Sequence, residues 1–259
     1  MFPNLALGEQ ELLVFALVLL RVSAFIVSWP VFSTFNVPQS AKILFSVMIT
    51  VVIYPNVPKD QITMSILDNH IMFMVVREVF IGLTLGFITR FFFFAVNVGA
   101  NIMATSIGLA NAMIYNPSLG SQTSVLENFF LALATLLFLA LNGHHFFITG
   151  LVESFSAVPL SPTGVSFALF GHGGEWVQMI VVAGIKISAP ILISLFIINV
   201  VMGIIGRAVP QINVLVTSMS VNVLAGLALM IICLPFFLME LDGLLQVMSV
   251  ELMKAVKAF

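Results

Sequence analysis

Residues 97 to 124, NVGANIMATSIGLANAMIYNPSLGSQTS, interrupt a chain otherwise built of long apolar runs, and no other stretch restricts the possible folds as much. Asn97, Asn101, Thr105 and Gly108 recur at helical spacing and lay one polar stripe along an apolar helix. The stripe leads into Asn116-Pro117-Ser118-Leu119-Gly120-Ser121, whose turn formers end a helix and leave backbone N–H and C=O groups that need other partners. At membrane depth such backbone persists only inside protein or beside water. The stretch is therefore expected to line or close an internal passage.

The premise of a membrane comes from composition: 61% of residues are hydrophobic and 8% charged, with a mean hydropathy of +1.18, against roughly a quarter charged in ordinary soluble domains. The 259 residues contain no Pro/Gly/Ser-rich linker that would set off a soluble domain. A net charge of -2 argues against nucleic acid, which requires clustered Lys and Arg. Cys233 has no second cysteine to pair with and sits in an apolar run, as a packed thiol does. The expected fold is all-α, an integral-membrane-type helical bundle with broken helices and helical hairpins, in a single domain over 1–259.

The start MFPNLALGEQELL carries Glu9 and Glu11 where a signal peptide has basic residues, and the apolar run that follows is too long for a cleaved signal, so it is expected to be retained. That run, Leu12 to Trp29, has Arg21 near its middle and stops at Pro30. A second run, Ile43 to Tyr54 between Pro38 and Pro55, falls short of the roughly twenty residues of a straight crossing and reads as a broken or re-entrant piece. Residues 56 to 70, with Lys59, Asp60 and Asp68, are expected to form a water-exposed connection.

From Ile71 to Val96, Glu78, Gly82, Gly86 and Arg90 follow one another at four-residue steps, placing two small residues between opposite charges on one helix face. This pattern fits close helix packing with the charges tied to neighbours, and a conduction role is the alternative. Arg77 lies on another side of the helix. An arginine at mid-bilayer costs about 2.5 kcal/mol or more, so it must find a protein partner, water or the interface.

Residues 125 to 158 read as two helices joined at a turn in the interruption Asn142-Gly143-His144-His145, with Glu127 and Glu153 marking wetter edges. The adjacent His144 and His145 point in different directions on a helix and have no ligand partner at metal-binding spacing. Pro159 to Glu175 divides the chain into two parts of one domain. The last part reads as a helical hairpin, with runs Trp176–Ile205 and Val214–Met239, a tip GRAVPQIN, and a terminal stretch bearing Lys254 and Lys257. Arg207, Pro210, Gln211 and Asn213 form the tip, and Lys42, Arg207, Lys254 and Lys257 weakly favour a cytoplasmic position for it. Asn199 on the incoming arm, and Ser218 with Asn222 on the outgoing one, either line a passage or bond the arms together. Arg21, Arg77, Arg90 and Lys186, within or at the ends of apolar runs, imply partners beyond this chain.

Taken together, LLRVSAF with Pro30, Val37-Pro38 and Lys42, ITVVIYP, Arg77-Glu78 with Gly82 and Gly86, Asn116-Pro117 followed by VLENF, LLFLALNGHH with ESFSAVPL, and GRAVPQINVL resemble the FliR family of flagellar biosynthetic proteins, shared with the equivalent inner-membrane subunit of type III secretion injectisomes. The resemblance covers nearly the whole chain. Asn116 stands where the family commonly has Asp, and Ser124 and Ser220 where many members have Pro.

The resemblance implies a subunit of the flagellar type III export gate, assembling with FliP and FliQ into a helical hetero-oligomeric channel for unfolded flagellar proteins, with FlhB wrapped around it. It implies that residues 1–165 are FliP-like and 172–259 FliQ-like. It further implies a bacterial inner-membrane location at the basal body, with the assembled core standing on the periplasmic side. The loop from about 108 to 124 would plug the channel, with Gly108 and Gly120 as hinges around Leu109, Met113, Ile114, Tyr115, Asn116 and Pro117. No cofactor and no catalysis are implied. A secondary transporter of a small solute, the alternative, would show paired internal repeats, and none is found. No P-loop, HExxH helix or GxSxG elbow is present.

Overall fold

In the computed structural model, residues 8–30, 32, 37–58, 64–108, 125–160, 171, 173–209, 211 and 213–259 are described. Every regular element among them is helical: α1 (Glu9–Ser28), α2 (Gln39–Ile53) with a 3-10 turn at Tyr54–Asn56, α3 (Met64–Ile107), α4 (Val125–Ala140), α5 (Gly143–Ala157), α6 (Gly173–Ala208) and α7 (Val214–Ala258). This is the all-α membrane class that the composition predicts. α1, His70–Ile107 of α3, α6 and α7 are long and apolar enough to cross a bilayer, and α4 and α5 together meet the same test as a pair bent by 68°.

Local chemistry sets the ends. α1 stops at Trp29, which is extended (φ -69°, ψ 126°), as the residue before a proline must be. α2 has 15 residues, or about 22 Å at 1.5 Å per residue, short of a hydrocarbon core of about 30 Å. α3 is longer than its apolar run. It begins at Met64, inside the stretch expected as a connection, and continues through Phe91–Phe94 and the polar stripe to Ile107. The chain contains no proline between 64 and 107, so nothing forces an earlier end. Gly108 then turns left-handed at φ 93°, its N–H shared between Ala104 O and Thr105 O at 3.2 and 3.1 Å, a termination that favours glycine. Asn142 (φ 56°, ψ 28°) supplies the bend between α4 and α5, a left-handed position that asparagine tolerates better than most residues.

α7 also corrects the sequence reading. The run ending at Met239 and the terminal stretch are one helix of 45 residues that contains Pro235. Beyond that proline, Leu241, Leu244, Leu245, Met248, Leu252, Ala255 and Val256 are all buried at helical spacing. Their burial holds the helix where a missing N–H weakens it.

Two compact units interleave along the chain: Met1–Phe91 with Asn142–Gly174 and Val247–Phe259, and Phe92–Leu141 with Glu175–Gln246. The chain-order halves 1–165 and 172–259 compare segments with FliP and FliQ, a relation that internal packing does not address. In the first unit Val18, Val22, Phe25, Met74, Ile81, Leu85, Phe147 and Phe155 are almost wholly inaccessible. In the second, Phe92 and Phe93 pack on Phe138 with ring centroids 5.9 and 5.7 Å apart, and Phe130 meets Phe237 at 4.8 Å. The hairpin α6–α7 is largely bare: Phe196 is 68% exposed and Ile231 and Met239 are each 75% exposed.

Candidate functional site

The first unit is built around a charge cluster closed to water. Arg21 of α1 donates through Nε to Glu78 Oε2 of α3 at 2.5 Å, and both side chains are 0% exposed. Its Nη1 donates to Ser154 O and Oγ at 2.9 and 3.2 Å, its Nη2 to Val158 O at 2.9 Å, and its guanidinium carbon lies 4.2 Å from the centre of the Phe155 ring. Arg77 reaches the other oxygen of the same carboxylate, Nη1 to Oε1 at 3.2 Å, and donates to Pro159 O at 3.0 Å. Two guanidinium groups thus share one carboxylate.

The excess positive charge is met at the C-terminal end of α5, where Ser154 O in its last turn and the Val158 and Pro159 carbonyls just beyond it accept from the two arginines. A helix C-terminus carries about half a negative charge, and arginine is well suited to satisfying carbonyls left without helix partners. The arrangement fixes three elements at one point: α1, α3 and the chain leaving α5. Arg77 lies beside Glu78 in sequence yet still reaches its carboxylate, a pairing that helix-face reasoning alone did not suggest.

The glycines next in line let α1 and α3 touch. A Cβ on Gly82 would strike Arg21 O and stand 2.8 Å from Ala24 Cβ. One on Gly86 would strike Ser28 Oγ and stand 2.8 Å from Phe25 O. Contact pairs advance together along both helices, from Arg21 with Glu78 to Ser28 with Arg90, so α1 and α3 run parallel. Arg90 donates through Nε to Ser28 O, the last carbonyl of α1, at 2.5 Å and so caps that helix.

In the second unit the polar stripe lies on the last turns of α3. Asn97 is half-buried, and Asn101 and Thr105 are exposed. Asn101 donates to Glu127 Oε1 at 2.9 Å, and Glu127 is only 7% exposed. Glu127 is therefore not the wet edge that its charge suggested. It stands in the first turn of α4, where the positive end of the helix favours a carboxylate. Glu153 is exposed, as its charge suggested.

On the hairpin, Asn222 donates to Asn199 Oδ1 across the arms at 2.9 Å, while Ser218 is tied to its own helix through Leu215 O at 3.0 Å. At the tip Arg207 and Gln211 are exposed. Asn213 accepts the Val216 N–H at 3.4 Å and caps α7. Leu109, Met113, Ile114, Tyr115, Asn116, Pro117, Gly120 and Ser124 lie outside the described residues, as does Pro210. Ser220 is exposed on α7, its hydroxyl 3.5 Å from Val216 O. Among the described residues no group of three His, Cys, Asp or Glu side chains is placed to hold a metal ion.

The residues that carry these features fall within the reach of one family model, the bacterial export proteins, family 1, which matches residues 12–248. The chain belongs to that family. Among its relatives, the flagellar biosynthetic protein FliR of Bacillus subtilis (strain 168) is 29% identical over 224 residues, covering 85% of each chain. FliR of Escherichia coli (strain K12) is 29% identical over 217 residues, 84% of this chain and 82% of its own. FliR of Aquifex aeolicus (strain VF5) is 26% identical over 247 residues, 92% of each. Membership in the export family and four span-length apolar helices make this chain a membrane component of flagellar export. Arg21, Glu78, Arg90 and Glu127, whose polar contacts join α1 to α3 and to the end of α5, and α3 to α4, all lie within the matched residues.

Proposed function

We propose that the chain is a subunit of the flagellar type III export gate that forms, with FliP and FliQ, the channel passing unfolded flagellar proteins across the bacterial inner membrane at the basal body. FlhB is a further neighbour, and the assembled core stands toward the periplasmic side. The observation that carries this reading is the hairpin. In an export-family member, the most apolar windows of α6 and α7 are only 17% and 11% buried. Asn199 accepts from Asn222 through Oδ1 and is still exposed in that surface, and a partly exposed amide is poorly suited to lipid and better suited to a protein neighbour. Lengths support the same reading. α3, α6 and α7 have 44, 36 and 45 residues, or about 54 to 68 Å, where about 30 Å suffices to cross the hydrocarbon.

In this reading the stripe of Asn97, Asn101 and Thr105 faces the passage, and the loop from 108 to 124 closes it at rest. The chain-order halves correspond to a FliP-like part over 1–165 and a FliQ-like hairpin over 172–259. Expression of the chain alone and together with FliP and FliQ tests the assembly. Coexpression should raise the yield and give one monodisperse complex in detergent that contains all three proteins. Equal behaviour with and without the partners would remove the assembly reading.

A further inference from the structure

The character of α7 changes near its end. No charged residue occurs in the 32 positions from Ala208 to Met239, whereas Glu240, Asp242, Glu251, Lys254 and Lys257 follow within the next 18. Charges at that density do not suit a hydrocarbon surface. The terminal turns belong to the first unit, where Leu252, Ala255 and Val256 are buried and Val250 stays 53% exposed.

α5 packs against this end. A Cβ on Gly150 would stand 2.7 Å from Leu252 Cδ2, so the two helices approach closely there. Beside the contact lies an open groove of about 560 Å³, walled by Phe146 and Thr149 on α5 and by Val250 and Met253 on α7. His145, Lys254 and Lys257 add three basic side chains to the lining. Phe146 is 49% exposed, an aromatic surface open beside these cations. Lys254 is paired with Glu251 at 2.6 Å, but among the described residues no carboxylate lies within ion-pair distance of Lys257. The groove thus joins apolar walls to an uncompensated ammonium group.

We propose that this groove seats an amphipathic helix of another protein, its apolar side chains between Phe146 and Met253 and its carboxylates toward Lys257 and Lys254. From Ser249 to Lys257 the α7 wall extends about 12 Å, a little over two helical turns. A groove between two helices is a recurring seat for a third, read through anchors three and four residues apart. Met253 can adapt to the anchor that meets it, and the lysine stems lengthen the apolar wall while their ammonium groups stay at the rim. Charge selects the occupant, because an acidic helix gains from Lys257 where a basic one is repelled. Lipid is the poorer fit, since the groove opens on the charged end of α7 and not on its uncharged stretch.

The full chain, expressed in cells with the flagellar export proteins and carrying benzoylphenylalanine at position 146 or, separately, at 250, tests the assignment. Irradiation should join both positions to one helical segment of one protein, with Asp or Glu within a turn of the crosslinked residue. Lys254→Glu together with Lys257→Glu should reduce the capture at least fivefold, and changing the captured segment's acidic residues to Lys should restore it. Both lysines are exposed, and an unchanged thermal midpoint verifies that the double variant is folded. Lys257→Gln provides a milder second variant, expected to weaken capture about threefold. Capture of lipid alone, of no protein, or of a segment without acidic residues would overturn the site. Capture unaffected by the folded double variant or by Lys257→Gln would overturn it too.

Discussion

Among the described residues, Glu78 is the carboxylate that faces two guanidinium groups in a site closed to water, and this makes it the most consequential charged residue in the first unit. Removing one member of a buried ion pair leaves an uncompensated charge and costs about 3–5 kcal/mol, a large share of the about 5–15 kcal/mol by which folded proteins are stable. Glu78→Gln should therefore lower both the membrane level and the thermal midpoint of the complex, whereas the paired replacement Arg21→Met with Glu78→Leu should recover part of the loss. An unchanged midpoint in Glu78→Gln would show that the cluster does not hold the helices. Glycine contributes at the same scale through the space that it leaves open. Gly86→Ala drives a methyl group into Ser28 and the Phe25 carbonyl and should destabilise markedly, because backbone cannot yield as a flexible side chain can. Gly203→Ala and Gly243→Ala meet nothing within 4 Å and should be neutral or gain up to about 1 kcal/mol of helix propensity. Thermal midpoints of the three variants decide the point, and equal losses would refute the close approach of α1 and α3.

At the scale of elements, the hairpin separates two roles that its sequence left open. The arms are tied by the Asn199–Asn222 bond, so those amides serve packing between α6 and α7. The exposed Arg207 and Gln211 at the tip show no such bond among the described residues, and we propose that they stand at the cytoplasmic entrance in contact with neighbouring gate subunits. Arg207→Glu should then impair export more than assembly, read as secreted flagellar protein against copurified FliP and FliQ. A photocrosslinker at position 211 should capture gate subunits. Labelling of position 211 by a membrane-impermeant reagent only from the periplasmic side would refute that placement. A comparable division holds in α3, where the face toward α1 is fixed by Glu78, Gly82, Gly86 and Arg90, while Asn101 near the other end is engaged by Glu127.

For the molecule as a whole, the proposed closed state depends on residues 108 to 124. Gly108 gives a firm starting point, since its positive φ ends α3. In the export-gate reading, deletion of 110–118 should let the assembled complex leak ions, seen as slowed growth or single-channel conductance, while FliP and FliQ still copurify. Normal assembly with a tight membrane would make the loop structural instead of a plug.

Sequence alone determined the membrane class, the stop of α1 before Pro30, a turn within Asn142 to His145, the hairpin and the export family, because apolar run length, turn chemistry and family motifs are all local in sequence. It did not determine that α3 runs unbroken from Met64 or that α7 continues past Pro235, since the contacts that extend a helix come from residues distant in sequence. Nor did it pair Arg21 with Glu78, 57 residues away, or bury Glu127 against Asn101. A buried charge has many possible counter-charges along the chain, and only tertiary packing selects the one whose geometry offsets the cost of desolvation.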